Sequence, residues 1–172
     1  MTDARYIFLL VAALLIAAAI GSVLAFRDVP ITDAGSKLYP KVIDGDSLAI
    51  GRERVRLAGI DAPELYQHCY DTNRASYPCG ARAKVYLRNL IRGKPVTCQP
   101  FNPDRYGRSI AVCSVGGKDI GAELVRAGWA TDSDGHYLFA ELEARQAKRG
   151  IWAGEFQDPA EWRAEHPRKP AQ

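Results

Sequence analysis

The stretch Ile60–Glu64 reads IDAPE and places two carboxylates, Asp61 and Glu64, three residues apart at the end of an apolar run. Pro63 fixes its own φ and pushes Ala62 toward an extended conformation. The stretch therefore predicts a stiff bend with its acids facing outward. Taken alone, it is also typical of an ordinary polar turn after a strand, because short motifs match by accident.

Three short apolar stretches before the bend predict β-strands. Leu38–Ile43 and Ser47–Ile50 are joined by Asp44-Gly45, and an Asp-Gly pair between such runs is a strong hairpin signal. Glu53–Ile60 alternates as a third strand.

The odd spacing of Arg56 and Asp61 sets a condition on this third strand. Strict alternation would send the two side chains to opposite faces of the sheet. A bulge or bend at Gly59 would bring them back together, because glycine within a strand pattern often marks such a site.

The rest of the chain predicts two more strands and about three helices. The strands are Val96–Gln99 and Ser109–Val115; the helices are Ala81–Arg92, a stretch capped by Asp119 that runs to Ala127, and Tyr137–Arg149 with Leu138 and Leu142 facing inward. We expect an α+β fold, in which five short strands can close into an OB-fold barrel, the type that binds oligonucleotides and oligosaccharides. Strand count alone does not select that barrel over other α+β packings.

The N-terminal segment Tyr6–Phe26 contains no charged residue and is long enough to cross a bilayer as a helix. It is either an uncleaved anchor or a signal peptide cleaved after Val23-Leu24-Ala25, and its long apolar core favours the anchor. Both alternatives export the chain, so we expect a periplasmic or cell-surface protein.

The sequence predicts four parts along the chain. They are a hydrophobic segment at 1–27, a linker at 28–37, a folded domain at 38–154 and a tail at 155–172 with one helical turn around Trp162.

Composition adds little to this picture. The chain has 172 residues, 47% of them hydrophobic and 25% charged, which is typical of one globular domain with appendages. Its formal net charge of +3 is only mildly basic, so the charge alone does not require a nucleic-acid partner.

Four cysteines in an exported chain predict two disulfides, for which three connectivities exist. Cys69 and Cys79 bracket a polar loop, and Cys98 and Cys113 lie on two flanking strands of a predicted hairpin, so we expect the pairs 69–79 and 98–113. A zinc site is the alternative, but the paired spacing of zinc ligands is missing.

Several groups of residues, in this order along the chain, resemble the motifs of the staphylococcal (thermonuclease) nuclease family. They are VIDGDS at 42–47, RLAGIDAPE at 56–64, DRYGR at 104–108, ELVRAG at 123–128 and RGIW at 149–152. The resemblance covers about Tyr39 to Trp152. It implies the five-stranded barrel with helices and calcium-dependent cleavage of phosphodiester bonds in DNA and RNA.

Carried over position by position, the resemblance implies a calcium site formed by the carboxylates of Asp46 and Asp61 and the backbone carbonyl of Ala62. Calcium is a hard cation that takes oxygen ligands in a flexible shell. Two carboxylates suffice if substrate phosphate and water complete that shell.

The resemblance also implies roles for four side chains around the metal. Glu64 would hold and deprotonate the attacking water, Arg56 and Arg108 would bind the phosphate, and Tyr106 would line the nucleotide pocket. Each has an ordinary alternative as a solvated turn acid, a strand-face arginine, a loop cap or a packing tyrosine.

We therefore expect a calcium-dependent nuclease of low sequence specificity that acts on DNA and RNA, is tethered to a membrane and is monomeric. The alternatives are a non-catalytic module of the same fold that binds nucleic acid or protein, and an anchored structural partner protein. Tyr66–Tyr77 and Thr131–His136 depart from the family pattern, so base preference stays open.

Overall fold

The computed structural model describes residues 39–103 and 108–167, with the side chains of 101–103 excepted. The expected membrane anchor, the linker and Tyr106 lie outside the described residues. Within these ranges, no helix is both long and apolar enough to cross a membrane.

Ten short strands are present in the described ranges. They are β1 (Lys41–Val42), β2 (Ser47–Ile50), β3 (Glu53–Leu57), β4 (Ile60–Asp61), β5 (Cys69–Tyr70), β6 (Ser76–Tyr77), β7 (Val96–Pro103), β8 (Ser109–Val115), β9 (Lys118–Asp119) and β10 (Thr131–Asp132). The main sheet has the order β1-β2-β3-β8-β7, with β9 also on β8. The pair β1–β2 is antiparallel, as the hairpin signal predicts. The pair β2–β3 is also antiparallel, whereas β3 and β8 are parallel.

The α+β class is confirmed, but the expected closed barrel is not found among the described strands. A turn at Ala58-Gly59 separates β3 from β4, and β4 leaves the main sheet to pair with β10. The strand pair β5–β6 is also separate. The main sheet therefore stays open, with β1 and β7 at the two ends of its strand order.

Four α-helices and one 3-10 helix complete the described part of the fold. They are α1 (Cys79–Ile91), α2 (Ile120–Arg126), α3 (Leu138–Gln146), the 3-10 helix Gly150–Ala153 and α4 (Pro159–Glu165). Asp119 caps α2 as expected, because its side chain accepts a hydrogen bond from the Ala122 N–H at 3.0 Å. The predicted single turn around Trp162 is the full helix α4.

The orientation predicted for α3 is wrong. Leu138 and Leu142 are exposed, and the buried face of the helix consists of Ala140, Glu141 and Ala144. Small side chains allow close approach of α3 to its neighbours, and the Glu141 carboxylate accepts a hydrogen bond from the Asp132 N–H. A buried acid with partners thus occupies the face where leucine was expected.

The hydrophobic core lies between the main sheet and the helices. Its fully buried members include Leu48 and Val55 from the sheet, Leu87 from α1 and Leu124 from α2. These contacts hold β2, β3 and α1 in fixed relative positions, and the loops at their ends carry the acids considered below.

Both predicted disulfides are confirmed. Cys69–Cys79 joins β5 to the first residue of α1, with 5.6 Å between the two Cα atoms. Cys98 and Cys113 lie directly opposite each other on β7 and β8. All four cysteines are therefore in disulfides, which removes the zinc alternative for these thiols.

Candidate active site

Asp46 is positioned by the loop between β1 and β2. The Asp44 carboxylate accepts a hydrogen bond from the Asp46 N–H at 3.2 Å, and the Leu57 N–H donates to the Asp46 carbonyl at 2.8 Å. A Cβ at Gly45 would lie 2.7 Å from the Cβ of Ala62. The missing side chain at Gly45 therefore allows the loop to approach the second acidic segment.

A bend at Gly59 brings Arg56 and Asp61 together, as the spacing requires. Gly59 has φ +71°, a left-handed conformation that residues with a side chain rarely adopt. The Arg56 Nη2 donates to Asp61 Oδ1 at 2.9 Å across this bend. The Asp61 carbonyl accepts a hydrogen bond from the Thr131 hydroxyl at 3.1 Å, so β10 fixes the position of the acid.

One guanidinium connects the two acids. The Arg56 Nη1 lies 2.9 Å from Asp46 Oδ2, and its Nη2 lies 2.9 Å from Asp61 Oδ1. The Arg56 side chain is 20% exposed, and those of Asp46 and Asp61 are 6% and 11% exposed. Three of the predicted site residues therefore meet in a largely buried cluster.

The electrostatic environment of Asp46 favours a nearby cation. Burial raises the pKa of Asp46 to about 7, and the carboxylates of Asp44 and Asp61 act in the same direction. Arg56 and a 2.8 Å hydrogen bond from the Ser47 hydroxyl oppose this rise without cancelling it. A further positive charge beside Asp46 would stabilise its ionised form.

Glu64 lies in a turn that is held by a buried amide. The Glu64 N–H donates to Gln67 Oε1 at 3.1 Å, and the Gln67 N–H donates to the Glu64 carbonyl at 2.7 Å. The Gln67 Nε2 also donates to the Gln157 carbonyl at 2.7 Å. Because Gln67 is fully buried, this side chain connects the Glu64 turn firmly to the segment before α4.

The tail supplies an arginine that the sequence analysis missed. The Arg163 Nη1 and Nη2 donate to Asp61 Oδ1 and Oδ2 at 2.9 and 2.7 Å, and Nη1 also donates to Glu64 Oε1 at 3.3 Å. Hydrogen bonding to Asp61 raises the pKa of Arg163 well above its usual range. The pattern Asp158-Pro159 signals the start of α4, but no local signal shows which side of that helix faces Asp61.

The two remaining predicted residues lie on the third motif. Arg108 is half-buried and directly precedes β8, two residues before Ile110, which pairs with Arg56 across the sheet. This register places Arg108 beside the strand that carries Arg56, and its role in phosphate binding stays a prediction. Tyr106 lies outside the described residues.

The donor set fits a hard divalent cation. Asp46 and Asp61 each bring a carboxylate to the same guanidinium, Ala62 follows Asp61 in the chain, and the candidate donors are all oxygens, as calcium prefers. Asp61 already binds one cationic group through both oxygens. In the part of the chain that the structure describes, no three or more acidic, histidine or cysteine side chains form a metal cage, so a cation bound here would need backbone, water or substrate oxygens to complete its shell.

A large part of the chain matches a known protein family. The family model described as staphylococcal nuclease homologue matches residues 54–154. The chain belongs to the staphylococcal nuclease family. The match to this nuclease family includes Arg56, Asp61 and Glu64, begins after Asp46 and ends before Arg163.

Individual relatives carry different names. The chain is 38% identical over 117 residues to the succinoglycan biosynthesis protein ExoI of Rhizobium meliloti (strain 1021), which covers 64% of this chain and 61% of the relative. It is 34% identical over 120 residues to the probable endonuclease LCL3 of Schizophyllum commune, covering 58% of this chain and 40% of the relative. It is 30% identical over 139 residues to the probable staphylococcal-like nuclease CAN1 of Oryza sativa subsp. japonica, covering 77% of this chain and 39% of the relative. The matched part thus spans between 39% and 61% of the length of these three relatives.

Proposed function

We propose that this protein is a calcium-dependent nuclease that hydrolyses phosphodiester bonds of DNA and RNA with low sequence specificity. The observation that carries the proposal is the convergence of Asp46, Arg56 and Asp61, with Glu64 on the adjoining turn. Membership of the nuclease family and the names of two relatives support the same activity.

The proposed metal ligands are Asp46, Asp61 and the Ala62 carbonyl. When bound there, calcium would polarise a phosphoryl oxygen and help to position a water molecule. The burial of Asp46 and its raised pKa support this assignment, because the ionised acid gains most from a neighbouring cation.

Glu64 is the proposed general base. The Glu64 carboxylate lies close to that of Asp61, because Arg163 Nη1 donates to both acids. A carboxylate in this place can accept the proton of an attacking water within hydrogen-bond reach. The buried Gln67 amide fixes the backbone of Glu64, which limits the positions that the base can adopt.

Arg56 is the proposed phosphate-binding residue at the centre of the site. A guanidinium has five N–H donors in a planar fork, so Arg56 can hold the two acids and still donate to a phosphate oxygen. Charge that develops on the phosphate in the transition state would be stabilised by such a fixed cation. Arg108 would bind the phosphate from the neighbouring strand, and Tyr106 would line the nucleotide pocket.

We further propose that the enzyme works outside the cytoplasm, tethered by Tyr6–Phe26, and acts as a monomer. Two disulfides support an oxidising compartment, because such bonds are rare in reducing ones. N-terminal sequencing of the mature protein distinguishes a retained anchor from a cleaved signal peptide, since cleavage after Ala25 would leave Phe26 first.

The test is digestion of single-stranded DNA and of RNA by the purified full chain, with calcium titrated and then removed by a chelator. We expect cleavage of both polymers that requires calcium. Glu64→Gln should lower kcat by about 10²–10⁴-fold, because it removes the base but keeps the shape. Glu53→Gln, on an exposed β3 position, is the matched control and should retain full activity. Digestion that persists in chelator, or that Glu64→Gln leaves intact, contradicts the proposal.

The second candidate is a non-catalytic module of the same fold that binds nucleic acid or protein. Two observations favour it: Arg163 pairs with both Asp61 and Glu64, and one relative is named as a biosynthesis protein. This candidate predicts binding of single-stranded DNA without cleavage and without any need for calcium. The same assay, combined with a gel-shift measurement in chelator, separates the two functions.

A further inference from the structure

We infer that Arg163 competes with the divalent cation for Asp61, so that helix α4 keeps the metal-free site closed. The inference rests on the proposed function, because it concerns the same acids. It assigns to the tail a direct influence on how strongly the site binds calcium.

The competition follows from the atoms that Arg163 contacts. Its two terminal nitrogens bind both oxygens of Asp61, at 2.9 and 2.7 Å, and one of them also binds Glu64 at 3.3 Å. A bidentate pair of this kind is among the strongest that a carboxylate forms with a side chain. A divalent cation on Asp61 would need the same oxygens and would be repelled by the guanidinium at close range.

The charge balance agrees with this view. Two guanidiniums meet at one oxygen of Asp61: Arg56 Nη2 and Arg163 Nη1 each donate to its Oδ1 at 2.9 Å. Arg163 also donates to the second oxygen, Oδ2, at 2.7 Å. Arg163 therefore adds positive charge at the carboxylate where a metal ion would bind, and can substitute for that ion.

Helix α4 is short and has one buried residue. The helix has seven residues, and Pro159 is its buried residue. The Asp158 carboxylate caps it by accepting from the Ala160 and Glu161 N–H groups at 2.8 and 3.3 Å. A two-turn helix is not stable alone in water, so its position depends on the few contacts that hold it, including those of Arg163.

The first experiment measures calcium binding to the full chain by calorimetry, without substrate. Arg163→Gln should bind calcium about fivefold more tightly than the unmodified protein, because it removes a partly exposed ion pair that competes for Asp61. Arg163→Lys, which keeps the charge but loses the fork, should fall between the two. Arg126→Gln is the matched control: it removes one arginine and its ion pair with Glu123 on α2, and should leave the affinity unchanged.

The second experiment measures release of the tail in the unmodified protein by limited trypsin digestion followed by mass spectrometry. Cleavage after Arg163 should become faster as calcium is added, along the same curve as binding. Cleavage after the exposed Arg92, just past the end of α1, serves as the internal standard, because any effect of calcium on trypsin acts on both sites.

The outcomes separate the inference from the proposed function. Equal or weaker calcium affinity in Arg163→Gln, or a cleavage ratio that calcium does not change, overturns the inference while the calcium site stands. Failure of every variant to bind calcium overturns both. If Arg163→Gln does not fold, Arg163→Lys and the digestion of the unmodified protein still decide the question.

Discussion

Asp61 binds two arginines of very different origin. Arg56 lies on β3, between β2 and β8 in the main sheet, and its side chain is 20% exposed. Arg163 lies on the short helix α4 near the end of the chain, and its side chain is 36% exposed. The two arginines approach Asp61 to nearly equal distances, 2.9 and 2.7 Å. The comparison teaches that a short distance does not by itself show a stable ion pair. The sheet holds the Arg56 guanidinium in place, whereas only a few tail contacts hold that of Arg163.

The largest effect on the free energy of unfolding should come from removing Arg56, the arginine that lies on the sheet. Arg56→Ala leaves the buried Asp46 carboxylate without its principal partner, and such a loss should reduce the free energy of unfolding by about 3 kcal/mol. Urea denaturation without calcium measures it.

Arg54→Ala is the control for Arg56→Ala, because Arg54 lies on the same strand but is exposed. It should change the free energy of unfolding by less than about 0.5 kcal/mol. Similar losses in the two variants would show that Arg56 is no more than a surface residue of β3, and the contrast with Arg163 would disappear.

Gln67, which connects the Glu64 turn to the segment before α4, should give the next largest effect on stability. Gln67→Met keeps the approximate volume of the side chain but leaves the Glu64 N–H and the Gln157 carbonyl without this partner, which should cost about 2 kcal/mol. Thermal or urea unfolding measures the loss, and trypsin cleavage after Arg163 should become faster.

Gln157→Met is the matched control for this link, since Gln157 contributes its backbone carbonyl rather than its side chain. It should shift the free energy of unfolding by less than about 0.5 kcal/mol. A Gln67→Met protein as stable as this control would mean that the tail is held by something other than the buried amide.

The smallest effect should be confined to the tail. Asp158→Ala removes the N-cap of α4 and should cost that helix about 1 kcal/mol, with the sheet unaffected. We expect faster trypsin cleavage after Arg163, relative to Arg92, at an almost unchanged urea midpoint. Asp158→Ser retains a capping oxygen and should keep most of the protection. A general loss of stability would show that sheet and tail unfold together.

Much of the strand side of the site was predictable because its determinants are local. Asp46, Arg56 and Asp61 lie within a short segment, and the odd spacing of the last two residues demands a bend that Gly59 provides. The disulfide between Cys98 and Cys113 was equally predictable, because opposite positions on neighbouring strands bring the two thiols together. In these cases, the alternation of side chains along a strand and the conformational preferences of turn residues determine the geometry.

The remaining features depend on contacts that no local pattern encodes. Barrel closure was expected from the family resemblance, but among the described strands β4 and β10 are two-residue strands that pair only with each other. The leucines of α3 indicated the wrong face, because tertiary packing favoured Ala140 and Ala144. Arg163 could not be found, because helix periodicity does not show which distant acid a helix will meet.

The position of Arg163 in the chain also affects when its contact forms. The bond to Asp61 joins residues that are 102 positions apart. Closing so long a loop costs entropy that is recovered only after the intervening segments have folded. The contact should therefore be absent from the rate-limiting step of folding, and removal of Arg163 should accelerate unfolding while the refolding rate stays nearly constant.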